Sequence, residues 1–506
     1  MKNGWRFDLR YLLLAFHVSF FTFHFSFGQT EVRDIRILNA DELRYKNTGA
    51  TEVRTLVGNV QLEHDGVLMF CDQADFYAKD NNVYASGDVH IQQDTVNIYS
   101  DKLYYRGNQR KAELTGNVHM SDTRMTLVTE RLEYDMNRRV ATYYTGGTIT
   151  NDSSVLTSKI GHYHAATKDV FFRDDVELTN PRYNLNADTL RYNLNSKIAY
   201  FIGPTNITGQ DNTIYCEGGY FNTGTDRMQF NTNARLHNPP QVLSADTIEY
   251  GRGTGDGTAV GNVRWVDTLQ KVILAGGRAV YNEAESTIAV SDRPVMADAS
   301  REDTLFVTAD SLFSERVDTL GKRRFRGYRN ARIFSNEMQA VCDSLVYSDA
   351  DSVFHFYENP ILWVNQNQLT ADTIYLVLRN GKIDKMHLRQ NSLIVSFVDS
   401  NQYNQVRGKT MVGQFVDNGL NNLLVEGNGE SIYHAVEDDG KSAGVNKAVC
   451  SRMLVQVKDE KVNRILFLEK PEATLYPANQ MPPEETRLRG FRWEAAKQPG
   501  RGAFAL

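Results

Sequence analysis

Cysteine is scarce in this chain of 506 residues, with four in all, so a small fold stapled by disulfides is excluded. Proline, at 11 residues, is too sparse for a collagen or a proline-rich disordered chain. Beyond the N-terminus no apolar run is long enough to cross a bilayer, which excludes a multi-span membrane protein. Positive charge is in deficit. The 56 Lys and Arg against 62 Asp and Glu leave a formal charge of −6, so the broad cationic field that holds proteins to nucleic acid is missing. Nucleic acid is not an expected partner. The chain is instead rich in aromatic side chains, 25 Tyr and 25 Phe, in a background of Asn, Asp and Thr. Aromatic residues fit pleated, half-buried surfaces, and an all-β fold of many short strands follows.

The N-terminus reads as a targeting signal. Lys2, Arg6 and Arg10 precede an apolar stretch from Tyr11 to Phe27, and small residues at Ser26 and Gly28 lead into the polar Gln29-Thr30-Glu31. Residues 1–28 are therefore expected to be a signal peptide that exports the rest; a retained membrane anchor is the rival reading. No Cys follows the apolar run, so a lipid-modified N-terminus is not indicated.

A repeat organises the remainder. The pattern small-Asp-x-aliphatic-x-aromatic occurs at Ala40–Tyr45, Ser100–Tyr105, Ala187–Tyr192, Ala245–Tyr250 and Cys342–Tyr347. From Asp72 to Asp246 its marker column steps by 29 residues, with Glu130, Lys159 and Glu217 substituting for Asp. A second column, Gly58-Asn59-Val60, Gly87-Asp88-Val89, Gly116-Asn117-Val118 and Gly261-Asn262-Val263, keeps the same period. In Leu185–Tyr192 the apolar set is Leu185 and Ala187, then Leu190 and Tyr192, so the alternation switches parity across Asp188. Strand side chains have period two, and such a switch demands a bend or bulge at each marker. The Gly-Asn pairs suit corners too, because both residues tolerate positive φ.

One unit is thus two bent strands and two turns. It has one apolar side, which only stacked neighbours can bury, so the units must join into a single rod with a continuous apolar interior. Two strands per unit would give a rod on the order of 125 Å, and one coil per unit about half that. Past residue 376 the repeat degenerates but continues to about residue 477, and residues 478–506 read as an irregular tail, either disordered or a docking segment.

Candidate chemistry is thin. Cys71, Cys216, Cys342 and Cys450 each precede the marker column in the inward small-residue slot, and stacking keeps Cys71 and Cys216 on the order of 25–50 Å apart, so they should be unpaired. The marker carboxylates are expected to cap corners by accepting backbone N–H bonds rather than to hold calcium. His162 and His164 share a strand face but lack a third metal ligand, Ser348–Ser352 lacks the Gly and Glu of a calcium loop, and Gly251–Gly257 has no phosphate-cradle context. Gly440-Lys441-Ser442-Ala443-Gly444 matches a nucleophile-elbow pattern without its strand and helix. Lys322, Arg323, Arg324, Arg326, Arg329 and Arg332 form the one basic cluster, which suits either anionic groups or a solvated turn. No cofactor pattern is complete, and no enzyme is expected.

These residues resemble the periplasmic OstA-like (LptA-type) domain of the lipopolysaccharide transport system: Ser100-Asp101-Lys102-Leu103-Tyr104-Tyr105, a short turn, then Leu114-Thr115-Gly116-Asn117-Val118, repeated in phase. The resemblance covers about Val32 to Leu376, the repeat rod being taken as residues 29–376. It implies an elongated, folded-over antiparallel β-jellyroll, hence the longer rod. It also implies a noncatalytic periplasmic carrier that shields lipid A acyl chains, with association with the outer membrane allowed. Its partners would be lipopolysaccharide and the inner- and outer-membrane components of that system, with end-to-end self-association also allowed. Under that resemblance the inward residues Leu43, Tyr45, Leu103, Tyr105, Leu132, Tyr134, Leu190, Tyr192, Ile248, Tyr250, Leu345 and Tyr347 line the acyl-chain path. The alternative is a structural β-solenoid scaffold or adhesin with no lipid cargo.

Overall fold

A computed structural model describes residues 34–47, 52–123, 125–151, 154–300, 302–399, 402–436, 442–458, 461–478 and 480–505; the expected signal peptide lies outside them. Among the described residues there is no α-helix, and the strands pair antiparallel in one sheet. The polar-apolar alternation and the short Gly- and Asn-containing turns dictate this. In Tyr183–Asn193 the buried residues are Tyr183, Leu185 and Ala187, then Leu190, so parity switches at Asp188 as expected. Each 29-residue unit supplies two strands, and the ladder runs for roughly 130 Å at about 4.8 Å per strand.

The corner has an unequal residue count. Arg173 faces Thr189 and Val176 faces Ala187, so Asp174 and Asp175 together oppose the single Asp188. Gly87 and Asp88 oppose Asp101 in the same manner, and Gly116 and Asn117 oppose Glu130. Both residues of these bulges are left-handed: Gly116 and Asn117 have φ of +78° and +47°, Asp174 and Asp175 +62° and +52°. An extra residue bends and twists its strand. Because every second strand carries one at the same level, the bends align into a crease along the rod.

The marker carboxylate holds the crease differently from expectation. It accepts from the side-chain amide of the neighbouring bulge rather than from backbone N–H groups: Asn59 Nδ2 donates to Asp41 at 2.8 Å, Asn117 Nδ2 to Asp101 at 2.9 Å, and Asn391 Nδ2 to Asp372 at 3.1 Å. The marker's own N–H donates across to the bulge, as from Asp41 to Gly58 O at 2.9 Å. Glycine leads many bulges because a Cβ on Gly116 would sit 2.4 Å from Asp101 Oδ2. On the concave side the two halves of the sheet converge, and small residues such as Ala187, Ser100 and Cys71 fill that space.

The sheet must fold over at the crease. A strand such as Val96–Arg106, with 11 residues, would hold its two turns about 36 Å apart if flat. Instead, turns from opposite edges touch, as Asp65 and Arg110 do at 2.9 Å. Along one edge the turns form their own ladder. The carbonyls of left-handed Asn81, Arg110, Arg139, Lys168, Lys197 and Asp226 accept from Gly107, Met136, Ala165, Leu194, Thr223 and Arg252 at 2.8–3.0 Å. Both series step by 29 residues. The two facing halves enclose one apolar core that extends from Ile35 to Val455.

Past Tyr476 the chain reverses and crosses the outside of the last strands as a strap. Gln405 Nε2 donates to Thr486 O at 2.9 Å while Leu488 N donates to Gln405 Oε1 at 2.8 Å. Gln368 repeats the clamp, donating to Arg492 O at 2.8 Å and accepting from Glu494 N at 2.6 Å. Gln498 meets Gln339 at 2.7 Å, and Phe504 is buried against Phe306 and Phe334. The anchors recur about every six residues, one for each two strands crossed. Strands here are consequently covered on both faces: Ile361, Leu362, Trp363 and Val364 are all buried.

Two outcomes are expected. Gly116→Ala forces a Cβ toward Asp101 in a left-handed conformation and should lower stability by about 1–2 kcal/mol, read as a shift in urea midpoint. Gln405→Ala leaves two strap backbone groups without their partner, at about 1–3 kcal/mol, so limited trypsin digestion should release the strap faster while the rod stays intact.

Candidate functional site

The inward columns meet in the interior. Leu103, Tyr105, Leu132, Tyr134, Leu190, Ile248, Tyr250, Leu345 and Tyr347 are buried, and Tyr192 is half-buried against the core. Leu43 and Tyr45 depart from the expectation, each remaining 57% exposed. Among the described residues their strand, Glu42–Asn47, pairs with Glu52–His64 alone, and the strand is exposed throughout. The interior is filled by the protein's own side chains rather than forming an open trough. A void beside Leu274, Phe325 and Tyr347 measures about 10 Å³, room for a single water at most.

Opposite the crease, the two turn-bearing edges meet in a seam. Its inner layer is a row of tyrosine hydroxyls spaced 29 residues apart. Tyr105 OH lies 2.6 Å from His64 Nδ1, Tyr134 OH donates to Gln93 Oε1 at 2.6 Å, and Tyr163 OH donates to Asp122. Its outer layer is ionic: Asp65–Arg110 at 2.9 Å, Asp94–Arg139, and Asp122–Lys168 at 2.6 Å. Farther along the polarity inverts, with Arg182 and Asp226 at 3.3 Å, and then an amide takes the cation's place, with Asn238 Nδ2 donating to Glu283 at 2.5 Å. The tyrosines read as groove lining are thus amphipathic, with rings in the core and hydroxyls closing the seam.

Asp122 is the most enclosed of these acids, its side chain fully buried. Burial pushes its carboxyl up, but hydrogen bonds from Lys168, Tyr163, Thr95 and Thr123 outweigh that and hold it below the ordinary carboxylate range. Burial likewise raises the phenol of Tyr163, and the Asp122 charge adds to the effect.

The remaining candidates disperse. Arg323 is buried in the seam with its guanidinium 5.3 Å from the Trp265 ring and Nε donating to Ser314 at 2.7 Å, whereas Arg324 and Arg326 turn to Glu315. The basic cluster is therefore not one patch. His162 contacts Thr142 at 3.0 Å, and no group of three metal-binding side chains occurs among the described residues. Gly440 and Lys441 lie outside the described residues. The four cysteines are free; burial pushes the Cys71 thiol up to about 12 and that of Cys216 to about 11. Sequence reading missed the seam, although Arg110, Arg139, Lys168 and Lys197 form a 29-residue cation column that would have marked it.

Comparison with known proteins matches residues 33–188 and 184–246 to the family model of OstA-like proteins. No curated protein matches the chain. Among solved structures, one match is the crystal structure of LptH, the LptA homologous periplasmic component of the conserved lipopolysaccharide transport device from Pseudomonas aeruginosa. It is 13% identical, with 21% of this chain and 75% of that chain covered and a TM-score of 0.19.

The seam predicts a contrast. Asp122→Ala strands Lys168 and should cost about 3 kcal/mol, whereas Asp94→Ala, on a pair with side chains 65% and 38% exposed, should cost under about 1 kcal/mol. Because the folded Asp122 value is depressed, its contribution is present above the unfolded value of about 3.9 and is lost as pH falls through the lower folded value. Urea midpoints measured down to about pH 2 should fall less steeply for Asp122→Asn than for the parent chain.

Proposed function

We propose that the chain is a noncatalytic periplasmic carrier of lipopolysaccharide that shields lipid A acyl chains inside the rod, a reading supported by the match of residues 33–188 and 184–246 to the family model of OstA-like proteins. The observation that carries this reading is the single apolar interior, unbroken from Ile35 to Val455. A buried methylene gains about 0.8 kcal/mol, so an acyl chain of a dozen carbons gains on the order of 10 kcal/mol. A filled interior does not oppose this. Side chains that part around an acyl chain exchange one set of apolar contacts for another, and the water-exposed area stays nearly constant. The components that load and unload the rod, at the inner and outer membranes, would supply direction and energy.

A rigid scaffold without cargo is the second reading, favoured by the close-packed interior. One experiment separates the two. A photoreactive residue at Tyr192 or Tyr250 should crosslink lipopolysaccharide in the carrier, and Leu190→Lys, a charge placed at a fully buried position, should reduce that yield at least about tenfold in the fraction that still folds. Crosslinking absent from both positions would leave the scaffold reading standing.

A further inference from the structure

Three sides of the interior are held by backbone. The crease is continuous chain, and each half-sheet is a ladder of backbone hydrogen bonds. The fourth side is different. Among the described residues no backbone–backbone hydrogen bond crosses the seam, which is closed by side chains alone. Parting it breaks the partly exposed pairs Asp65–Arg110 and Asp94–Arg139, the buried pair Asp122–Lys168 and three tyrosine contacts, whereas parting any of the other three sides breaks a sheet.

The seam also has a local chemistry. Arg110, Arg139 and Lys168 stand on one edge, one unit apart, or about 10 Å at two strands per unit. Their acids, Asp65, Asp94 and Asp122, stand on the other edge. The cationic run stops where Asp226 takes the column and Arg182 faces it. Directly beneath the run lie the rings of Tyr105, Tyr134 and Tyr163, and beneath those the apolar interior. A phosphate presents more charge than a carboxylate and matches a guanidinium fork equally well.

Resting on the carrier reading, we propose that this stretch of seam is the lateral portal for a phosphorylated, multi-acyl lipid. Phosphate groups displace Asp65 and Asp94 from Arg110 and Arg139, and headgroup capture is thereby coupled to parting of the edges. The exposed Asp94–Arg139 pair exchanges first. Asp122, held by four donors, is the stop that keeps the seam shut without a phosphate.

The test measures uptake by the full chain of two probes with identical photoreactive acyl chains, diphosphoryl lipid A and its fully dephosphorylated form, read as crosslinking to a fixed interior position. The parent chain should take up the phosphorylated probe about tenfold faster, the factor expected from one to two charge-assisted hydrogen bonds. The triple variant Arg110→Gln, Arg139→Gln, Lys168→Gln should take up both at the same rate. Arg139→Gln alone, at the most exposed pair, should keep the fold and lose about half of the preference on a logarithmic scale. Equal uptake of the two probes by the parent chain, or a preference that survives in the folded single and triple variants, would overturn the portal and leave the carrier intact. Uptake of neither probe would overturn the carrier reading, and the portal with it.

Discussion

The architecture depends on a mismatch of one residue. In every second strand an extra residue, most often one of a left-handed pair, stands opposite a single marker residue, and the sheet cannot stay flat across that level. The Asp–Asn side-chain bond and the marker N–H bond to the bulge carbonyl make the mismatch a defined joint rather than a defect. From this crease follow the two facing half-sheets, the single interior, the small residues pinched on the concave side, and the meeting of turns that were on opposite edges.

The four walls of the interior differ in strength because they are made of different bonds. Backbone ladders, reinforced on one edge by turn-to-turn hydrogen bonds, leave little freedom along the half-sheets. The seam has hydroxyl contacts and ion pairs whose acids range from fully buried at Asp122 to largely exposed at Asp94. Toward the C-terminal end the strap adds a second covering layer, where outward-facing Trp363, Gln368 and Gln405 would otherwise meet water. The rod is therefore uneven along its length, with a second covering layer where the strap lies and a seam of side-chain contacts where the cation column runs.

Most of the architecture was legible because it is periodic. A parity switch at Asp188 or Asp246 is a statement about which face a side chain occupies, and the crease follows from it without knowledge of contacts. The partner of the marker carboxylate was not legible: whether Asp41 bonds a backbone N–H or the Asn59 amide depends on how two left-handed residues orient a side chain. Leu43 and Tyr45 follow the repeat in sequence but not in burial, since burial depends on neighbours, and among the described residues their strand has one paired strand only. The seam was missed: its cations, Arg110, Arg139 and Lys168, keep the period of the repeat, but the acids they meet lie 45 or 46 residues away and belong to the other edge, a relation that only folding creates. The strap had no strand periodicity to reveal it. Its spacing is set by the surface it crosses.

That spacing makes the tail a ruler. Because it advances about six residues for every two rungs, from Gln405 through Gln368 and Gln339 to the Phe306–Phe334 pair, the number of rungs it spans is written into its length. Duplicating a whole unit beneath it would leave the final phenylalanine stranded over the wrong rung unless some six residues were inserted as well. Among the described residues, units ahead of residue 305 carry no such tie, and there the fold can gain or lose a module without any compensating change in the strap.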